Sequence, residues 1–391
     1  MYISNIWKLN MIRFFYHLIP AYVIERLYWE ERGMTIQLVI LTEIIFAATV
    51  VLFEVPTGII ADKWGRKRMI VLASFIGCLE FFILVFATEF WHFALVVFLA
   101  AIGSAASSGA ENALLYDSLL HNGKEQHFEK YAGRLNAIDT VSIMIAALSG
   151  SLLASHYGFE FNYWLSLISM IVALVLSFLI VEPNVRSPEE NEETIPIRQY
   201  LTASLSFFRS HSDVSLVVLV GMVTGASINY IDEFWQIYLE RLHIPVYFFG
   251  IFSATIFFIR MPGNIFAYKL KYRFSYRFLL AFSLLVFTAG FFYISMVKDY
   301  SGLVVIVMIC CFAGLIEPLA SGYLHHRIDS TMRATMDSFQ SLGQNVLKAL
   351  TGLGFGYYSS KLDIFGGFGF IGMICGLYLV YFLAQSKKIT E

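Results

Sequence analysis

Apolar stretches of about twenty residues recur along this chain from one end to the other, separated by short polar joints, and that length is what an α-helix needs to cross a bilayer. The stretches are continuous, which excludes the roughly ten-residue alternation of a barrel strand. No soluble domain fits in what remains. Of 391 residues, 58% are hydrophobic and 14% charged, and the mean hydropathy is +0.67, so lipid is the solvent for most of the chain. The fold class that follows is an all-α membrane protein with twelve transmembrane helices, at 11–29, 35–57, 69–87, 91–119, 133–155, 161–181, 215–240, 247–268, 277–297, 301–324, 335–360 and 364–384.

The joint after the sixth span differs from the others. It runs Glu182-Pro183-Asn184-Val185-Arg186-Ser187-Pro188 into a cluster of acids, too polar to span, and 197–208 has the makings of a short amphipathic surface helix. The chain therefore divides into an N-terminal six-helix bundle (1–181), a linker (182–213) and a C-terminal six-helix bundle (214–391). Lys and Arg placement sets the orientation. With the N-terminus inside, Lys8, Arg13, the cluster Lys63 to Arg68 and the basic residues of the other even-numbered joints are cytoplasmic, whereas the outer face keeps Arg26, Arg32, Arg241, Lys298 and Lys361. Both termini are then cytoplasmic, in a multi-pass protein of the cell inner membrane. The N-terminal run contains His17, Glu25 and Arg26 and has no small-residue cleavage site, so it reads as a retained first helix. Cys78, Cys310, Cys311 and Cys375 lie in apolar runs without metal-ligand spacing, which points to neither a disulfide framework nor a metal site. The net charge of −2 gives no reason to expect nucleic acid.

Between the second and third spans stands Gly58-Ile59-Ile60-Ala61-Asp62-Lys63-Trp64-Gly65-Arg66-Lys67-Arg68. Gly58 permits close helix approach, Gly65 a sharp turn, Asp62 a cap or ion pair, and the basic cluster an anchor at anionic headgroups. This loop resembles the G-x-x-x-D-x-x-G-R-[KR]-[KR] motif of the major facilitator superfamily. The resemblance implies two pseudo-symmetric six-helix bundles that work by alternating access. It also implies a conformational latch of Gly58, Asp62, Gly65 and Arg66 with Asp117 at the end of the fourth span. The matching loop of the second half, Pro262-Gly263 through Arg273, keeps the basic character but lacks the Asp. Weak echoes relate the halves: Ala110-Glu111-Asn112 with Ile316-Glu317-Pro318, and Arg134 before Asp139 with Arg333 before Asp337. Two features depart from the family pattern. No basic residue stands at Phe98 or Leu99, and the fifth span carries Ser142, Ala146, Ala147, Gly150 and Ser151 without the Gly-Pro pair of drug/proton antiporters.

An ionisable side chain at mid-membrane costs about 2.5–3.5 kcal/mol on insertion scales, so each one needs a cavity, a partner or a proton. Glu43, Glu54, Glu80, Glu111, Asp139, Asp232, Glu233 and Glu317 fall inside spans, against only Arg260 and Lys348, with Arg134 near an end. Helical spacing groups Asn229, Asp232 and Gln236 on one face, Asn136, Asp139 and Ser142 on another, and Ser341, Gln344, Lys348 and Thr351 on a third. Asp139, Asp232 and Glu317 resemble, in type and helix, the membrane acids of Gram-positive proton-coupled multidrug exporters. With Glu111 they are the candidates for proton coupling; Asn136, Asn229, Glu233, Gln236, Gln344 and Lys348 are candidates to line a substrate cavity. Glu317 is alternatively a structural partner of Lys348 or Arg260, and Asp139 of Arg134. Glu43 and Glu80 read as local hydrogen-bonders, Glu54 as structural, and His17 as a packing histidine or part of a proton path.

The expected function is secondary active transport, foremost the proton-coupled efflux of amphipathic, cationic compounds held by aromatic rings. Proton-coupled uptake of a nutrient is the second reading, and a non-transporting membrane sensor or embedded enzyme the third. No Gly-x-Ser-x-Gly, His-Glu-x-x-His or phosphate-loop motif supports an enzyme. No cofactor is called for beyond the proton as coupling ion. The expected partners are a small-molecule substrate and membrane lipid, with the chain as a monomer.

Overall fold

A computed structural model describes residues 3–182, 208–325, 327 and 333–389; for Glu54, Gly58, Asp62, Lys63 and Asp337 it describes only the helical backbone. The helices in chain order are α1 (Ile3–His17), α2 (Glu25–Glu31), α3 (Ile36–Trp64), α4 (Arg66–Phe86), α5 (Phe90–Leu120), α6 (Phe128–Tyr157), α7 (Phe159–Phe178), α8 (Ser212–Arg241), α9 (Phe249–Arg273), α10 (Tyr276–Met296), α11 (Ser301–His325) and α12 (Arg333–Gln385). Among the described residues ten helices are long and apolar enough to cross a membrane. The protein is an all-α, multi-pass membrane protein. The chain forms two compact units, Met1–Glu190 with Ile244–Ala254, and Asn191–His243 with Thr255–Glu391. Most of the polar linker, including 197–207 of the surface helix expected at 197–208, lies outside the described residues.

Two departures from the expected spans have identifiable causes. The first span, 11–29, is not one helix: α1 stops at His17, a 3-10 turn runs Pro20–Val23, and α2 resumes at Glu25. Pro20 has no N–H to give the helix. Backbone freed inside a membrane must be satisfied by protein, and the small polar side chains of α6 and α7 do this. Ser142 donates to the Phe14 carbonyl, Ser169 to that of Phe15 at 2.8 Å, and Asn162 to that of Pro20 at 3.0 Å, while Ser166 accepts from the Ala21 amide at 3.1 Å. Gly150 completes the fit, because a Cβ there would stand 2.4 Å from the Pro20 carbonyl oxygen. The small residues of the fifth span thus have a specific use. At the other end, α12 covers the eleventh and twelfth spans, with non-helical angles at Leu362 and Asp363. Asp363 adopts φ 55° and its carboxylate accepts from Arg241 Nε at 2.7 Å.

The core of the first unit gathers Leu9 and Ile12 of α1, Met69, Ile70 and Ala73 of α4, Ala106, Ala110, Leu114, Leu115 and Leu119 of α5, and Leu135 of α6. One end of this core is tied by Asn5, which donates to Ser118 Oγ at 3.1 Å and to the Val181 carbonyl at 2.7 Å. In the second unit the rings of Tyr230, Phe234, Phe355 and Phe368 pack together, with Tyr230 and Phe355 stacked at 4.6 Å between centroids. Phe355 and Phe368 are fully buried there. These aromatics are core.

Candidate functional site

In the first unit the charged residues converge on α1. Arg13 stands almost three turns into that helix, and its guanidinium grips Asp139 of α6 with both branches, Nε to Oδ1 at 3.0 Å and Nη2 to Oδ2. Glu111 of α5 reaches Arg13 Nε at 3.7 Å, and His17 Nε2 lies 3.6 Å from Asp139. The Arg13, Glu111 and Asp139 side chains are only 14–15% exposed. Two corrections follow. Arg13 is an ion-pair partner within the helical bundle rather than a free cytoplasmic charge, and it, not Arg134, is the base that meets Asp139. One turn of helix is about 5.4 Å, so a basic residue at the edge of an apolar run is carried well inside when the helix starts earlier. Two carboxylates here share one guanidinium.

The loop between α3 and α4 is built around Gly65, whose φ of 104° suits glycine and turns the chain from Trp64 into Arg66. Arg66 then reaches across to α5, pairing through Nη1 with Asp117 and donating to the Ala113 carbonyl at 3.1 Å. Asp117 is 6% exposed. Asp62 and Gly58, the other expected members of this latch, carry no described side-chain geometry. A residue that the motif did not reveal completes the loop. Glu182, just beyond α7, accepts the backbone N–H groups of Arg66 at 2.9 Å and Lys67 at 2.7 Å, so its carboxylate caps α4. A helix start leaves these amides without intrahelical partners and carries a partial positive charge, and a carboxylate answers both.

The second unit holds a cavity of about 230 Å³ lined by Gly221, Thr224, Gly225 and Ile228 of α8, Arg260 of α9, Gly314, Ile316 and Glu317 of α11, and Gln340 and Gln344 of α12, among others. Among the described residues no aromatic ring lines it. Arg260 is engaged: it grips Asp232 of α8 through Nη1 at 3.1 Å and through Nη2, which also lies 3.6 Å from Cys310 Sγ. Glu317 faces the cavity in no ion pair among the described residues, so neither Arg260 nor Lys348 is its partner. The Gln344 amide packs over Gly225, where an added Cβ would stand 2.4 Å from its nitrogen. At one end of this unit Asp213 accepts from the Tyr323 hydroxyl at 3.0 Å and pairs with Arg327 at 3.4 Å.

A loop that turns at Gly65 to clamp Arg66 on a buried aspartate, within an all-helical membrane protein of two units, is the arrangement that the motif implied. The family model of the Major Facilitator Superfamily matches residues 10–351. The chain belongs to the major facilitator superfamily. An uncharacterized transporter of Buchnera aphidicola from Acyrthosiphon pisum is 22% identical over 313 residues, 77% of this chain and 75% of that protein. Another, from Schizaphis graminum Buchnera, is 29% identical over 137 residues, so that the chain spans about a third of that relative, 34% of its length. The class H tetracycline resistance protein of Pasteurella multocida is 23% identical over 190 residues, 46% of this chain and 45% of the relative. Among solved structures, the nucleoside transporter NupG superposes with TM-score 0.78 at 13% identity, covering 98% of this chain and 99% of that one, a likeness of fold.

In this superfamily member the remaining candidates fall into different surroundings. Lys348 and Glu233 both lie within electrostatic reach of Asp232. Gln236 is 4% exposed in the packed interior of α8, and Asn136 is exposed, its carbonyl accepting from Thr140. Asn229 is half-buried on the same helix as Asp232. Of the six expected cavity residues, Gln344 is the one that lines the second unit's cavity; Thr224, Gln340 and Arg260 join it and were not among them. The Gly221 and Gly225 pair, four apart on α8, and the Gln340 and Gln344 pair, four apart on α12, were the available sequence signals. Glu43, read as a local hydrogen-bonder, is instead in an ion pair with Arg26 of α2 at 2.8 Å.

Proposed function

We propose that this transporter is a proton-coupled exporter working by alternating access, with Glu111, Asp139 and Arg13 as a proton site. The observation that carries this reading is the charge balance of that cluster, two carboxylates on one guanidinium. With both acids ionised and His17 neutral, the group would hold a net negative charge at membrane depth, which a proton on one carboxyl cancels. Release of that proton in one state and uptake in the other turns the cluster into a coupling device. The name of the tetracycline resistance relative supports export, and the latch at Arg66 and Asp117 supports a conformational cycle. The Lys and Arg asymmetry of the sequence supports a cytoplasmic side for both termini and the polar linker.

One proton entering for one monovalent cation leaving moves no net charge, so the membrane potential cancels and each pH unit supplies about 1.4 kcal/mol, a tenfold gradient. Everted vesicles energised to be acid inside should therefore accumulate tetraphenylphosphonium in a protein-dependent way, and nigericin should abolish it. Absence of protein-dependent accumulation there, together with proton-driven uptake of a polar solute in right-side-out vesicles, would favour the second reading. That reading, uptake of a small polar nutrient, draws on the described lining of the second unit's cavity, which holds the Gln340 and Gln344 amides and no ring.

A further inference from the structure

We propose that the outer face of α4 is a binding site for an anionic phospholipid, held by Lys67 and Arg68. A groove of about 370 Å³ lies at this place, lined by Trp64 at the end of α3, by Lys67, Arg68, Val71, Leu72 and Phe75 of α4, and by Phe178 at the end of α7. The α4 residues recur at 67, 71 and 75 and at 68 and 72, the spacing of one helix face. The face is graded. Two cations stand at its start, and the apolar side chains follow for eight residues, about 12 Å along the axis. Trp64, Phe75 and Phe178 are 47, 48 and 59% exposed, open to whatever surrounds the helices. In a protein that crosses a membrane the surroundings are lipid.

The three consecutive basic residues have different employment. Arg66 is turned inward and committed to Asp117 and the Ala113 carbonyl. Glu182 is occupied by the amides of Arg66 and Lys67. The Lys67 ammonium and the Arg68 guanidinium meet no carboxylate among the described residues; Arg68 donates only to the Trp64 carbonyl, at 3.3 Å, and lies over the Trp64 ring at 5.9 Å. Two cations that meet no carboxylate among the described residues, above an apolar groove, match a phosphate above an acyl chain. A headgroup that brings its own ammonium adds no net charge and would leave the pair unneutralised, so a net negative headgroup such as phosphatidylglycerol is the occupant. The groove then anchors the α3–α4 loop, the loop that carries Arg66, at the bilayer surface.

The test uses the full-length protein purified in detergent, with bound lipid counted by native mass spectrometry after titration with phosphatidylglycerol or phosphatidylcholine. Phosphatidylglycerol should be retained over phosphatidylcholine. Each basic residue near a charged surface contributes about fivefold, so the Lys67→Gln/Arg68→Gln double variant should bind phosphatidylglycerol about thirtyfold more weakly. Lys67→Arg/Arg68→Lys should bind it as the parent does, which separates charge from folding. Val71→Trp, which fills the groove and leaves both charges, should also lose the lipid, whereas Arg66→Ala should keep it. Inorganic phosphate at the same concentration should not compete, because it has no chain for the groove. Equal retention of the two lipids, parental binding in the double Gln variant, or competition by phosphate would each overturn the proposal. None of these readouts depends on transport.

Discussion

Replacing Arg13 by Met removes the guanidinium and leaves Asp139 and Glu111 facing each other in a site that is 14% exposed. Removing one partner of a buried ion pair costs about 3–5 kcal/mol. The attraction lost from Glu111 alone, at 3.7 Å, is about 4 kcal/mol at an effective dielectric of 20 before desolvation is offset. Arg13→Met should therefore be destabilised by about 3–5 kcal/mol. Glu111→Gln behaves differently, because it leaves one guanidinium on one carboxylate, and it should stay within about 1 kcal/mol of the parent. Asp139→Asn falls between them: the two-branched grip is lost at about 1.5–3 kcal/mol, but Glu111 remains to balance Arg13. Arg13→Met/Asp139→Asn should recover most of the loss, since the remaining carboxyl can stay protonated. Denaturation in detergent gives the order of stabilities, and proteoliposomes give the flux. A charge-balanced cluster has no excess site for a proton, so Glu111→Gln should lose gradient-driven accumulation yet keep exchange of substrate down its own gradient. Parental accumulation by a well-folded Glu111→Gln protein would refute the role. An Arg13→Met protein as stable as the parent would refute the geometry behind it.

Glu317→Gln should fold within about 1 kcal/mol of the parent, since no ion pair is broken, and should keep substrate binding while gradient-driven transport falls; a large loss of thermal stability would contradict this. Arg66→Ala should insert normally but transport at least tenfold more slowly, as should Asp62→Asn, and parental rates in either would remove the latch. Glu182→Ala should cost about 1–2 kcal/mol by uncapping α4, and Glu182→Gln, which keeps one acceptor oxygen, should cost less, as measured by thermal unfolding. A cysteine introduced at Ser187 should be labelled by a membrane-impermeant thiol reagent in everted vesicles only; labelling in intact cells would invert the topology.

The helices were legible because crossing a bilayer fixes their length, and about twenty apolar residues leave little choice of structure. Arg66 with Asp117 was legible only as what the loop's resemblance to the major facilitator superfamily motif implies. Other parts depended on contacts far apart in the chain. Nothing near Asp139 announces Arg13, 126 residues away, and the rule that sorts basic residues by side of the membrane assigned Arg13 to the cytoplasmic side. The first span was expected to be one helix, and the break at Pro20 shows only through Ser142, Asn162, Ser166 and Ser169, whose side chains make it tolerable in lipid. Glu182 looked like the first acid of a polar linker. Its use as a cap depends on where α7 ends relative to α4.

Counting acids and bases along the spans correctly warned that the carboxylates outnumber their partners, and the pairings now say which are left over. Two arginines each take an aspartate with both branches, Arg13 with Asp139 and Arg260 with Asp232. Left without such a grip are Glu111, with a single 3.7 Å contact, and Glu80 and Glu317, which are in no ion pair among the described residues. Glu111 and Glu317 are the two that the weak echo between α5 and α11 had aligned. A bidentate aspartate is a poor proton carrier, because protonating it discards two charge-assisted hydrogen bonds at once. A loosely held glutamate gives up far less. Under the proposed coupling the physical preference therefore moves from Asp139 and Asp232 to Glu111 and Glu317. For the same reason the paired aspartates and arginines are better suited to holding each helical unit rigid than to the change of charge that the proposed coupling requires.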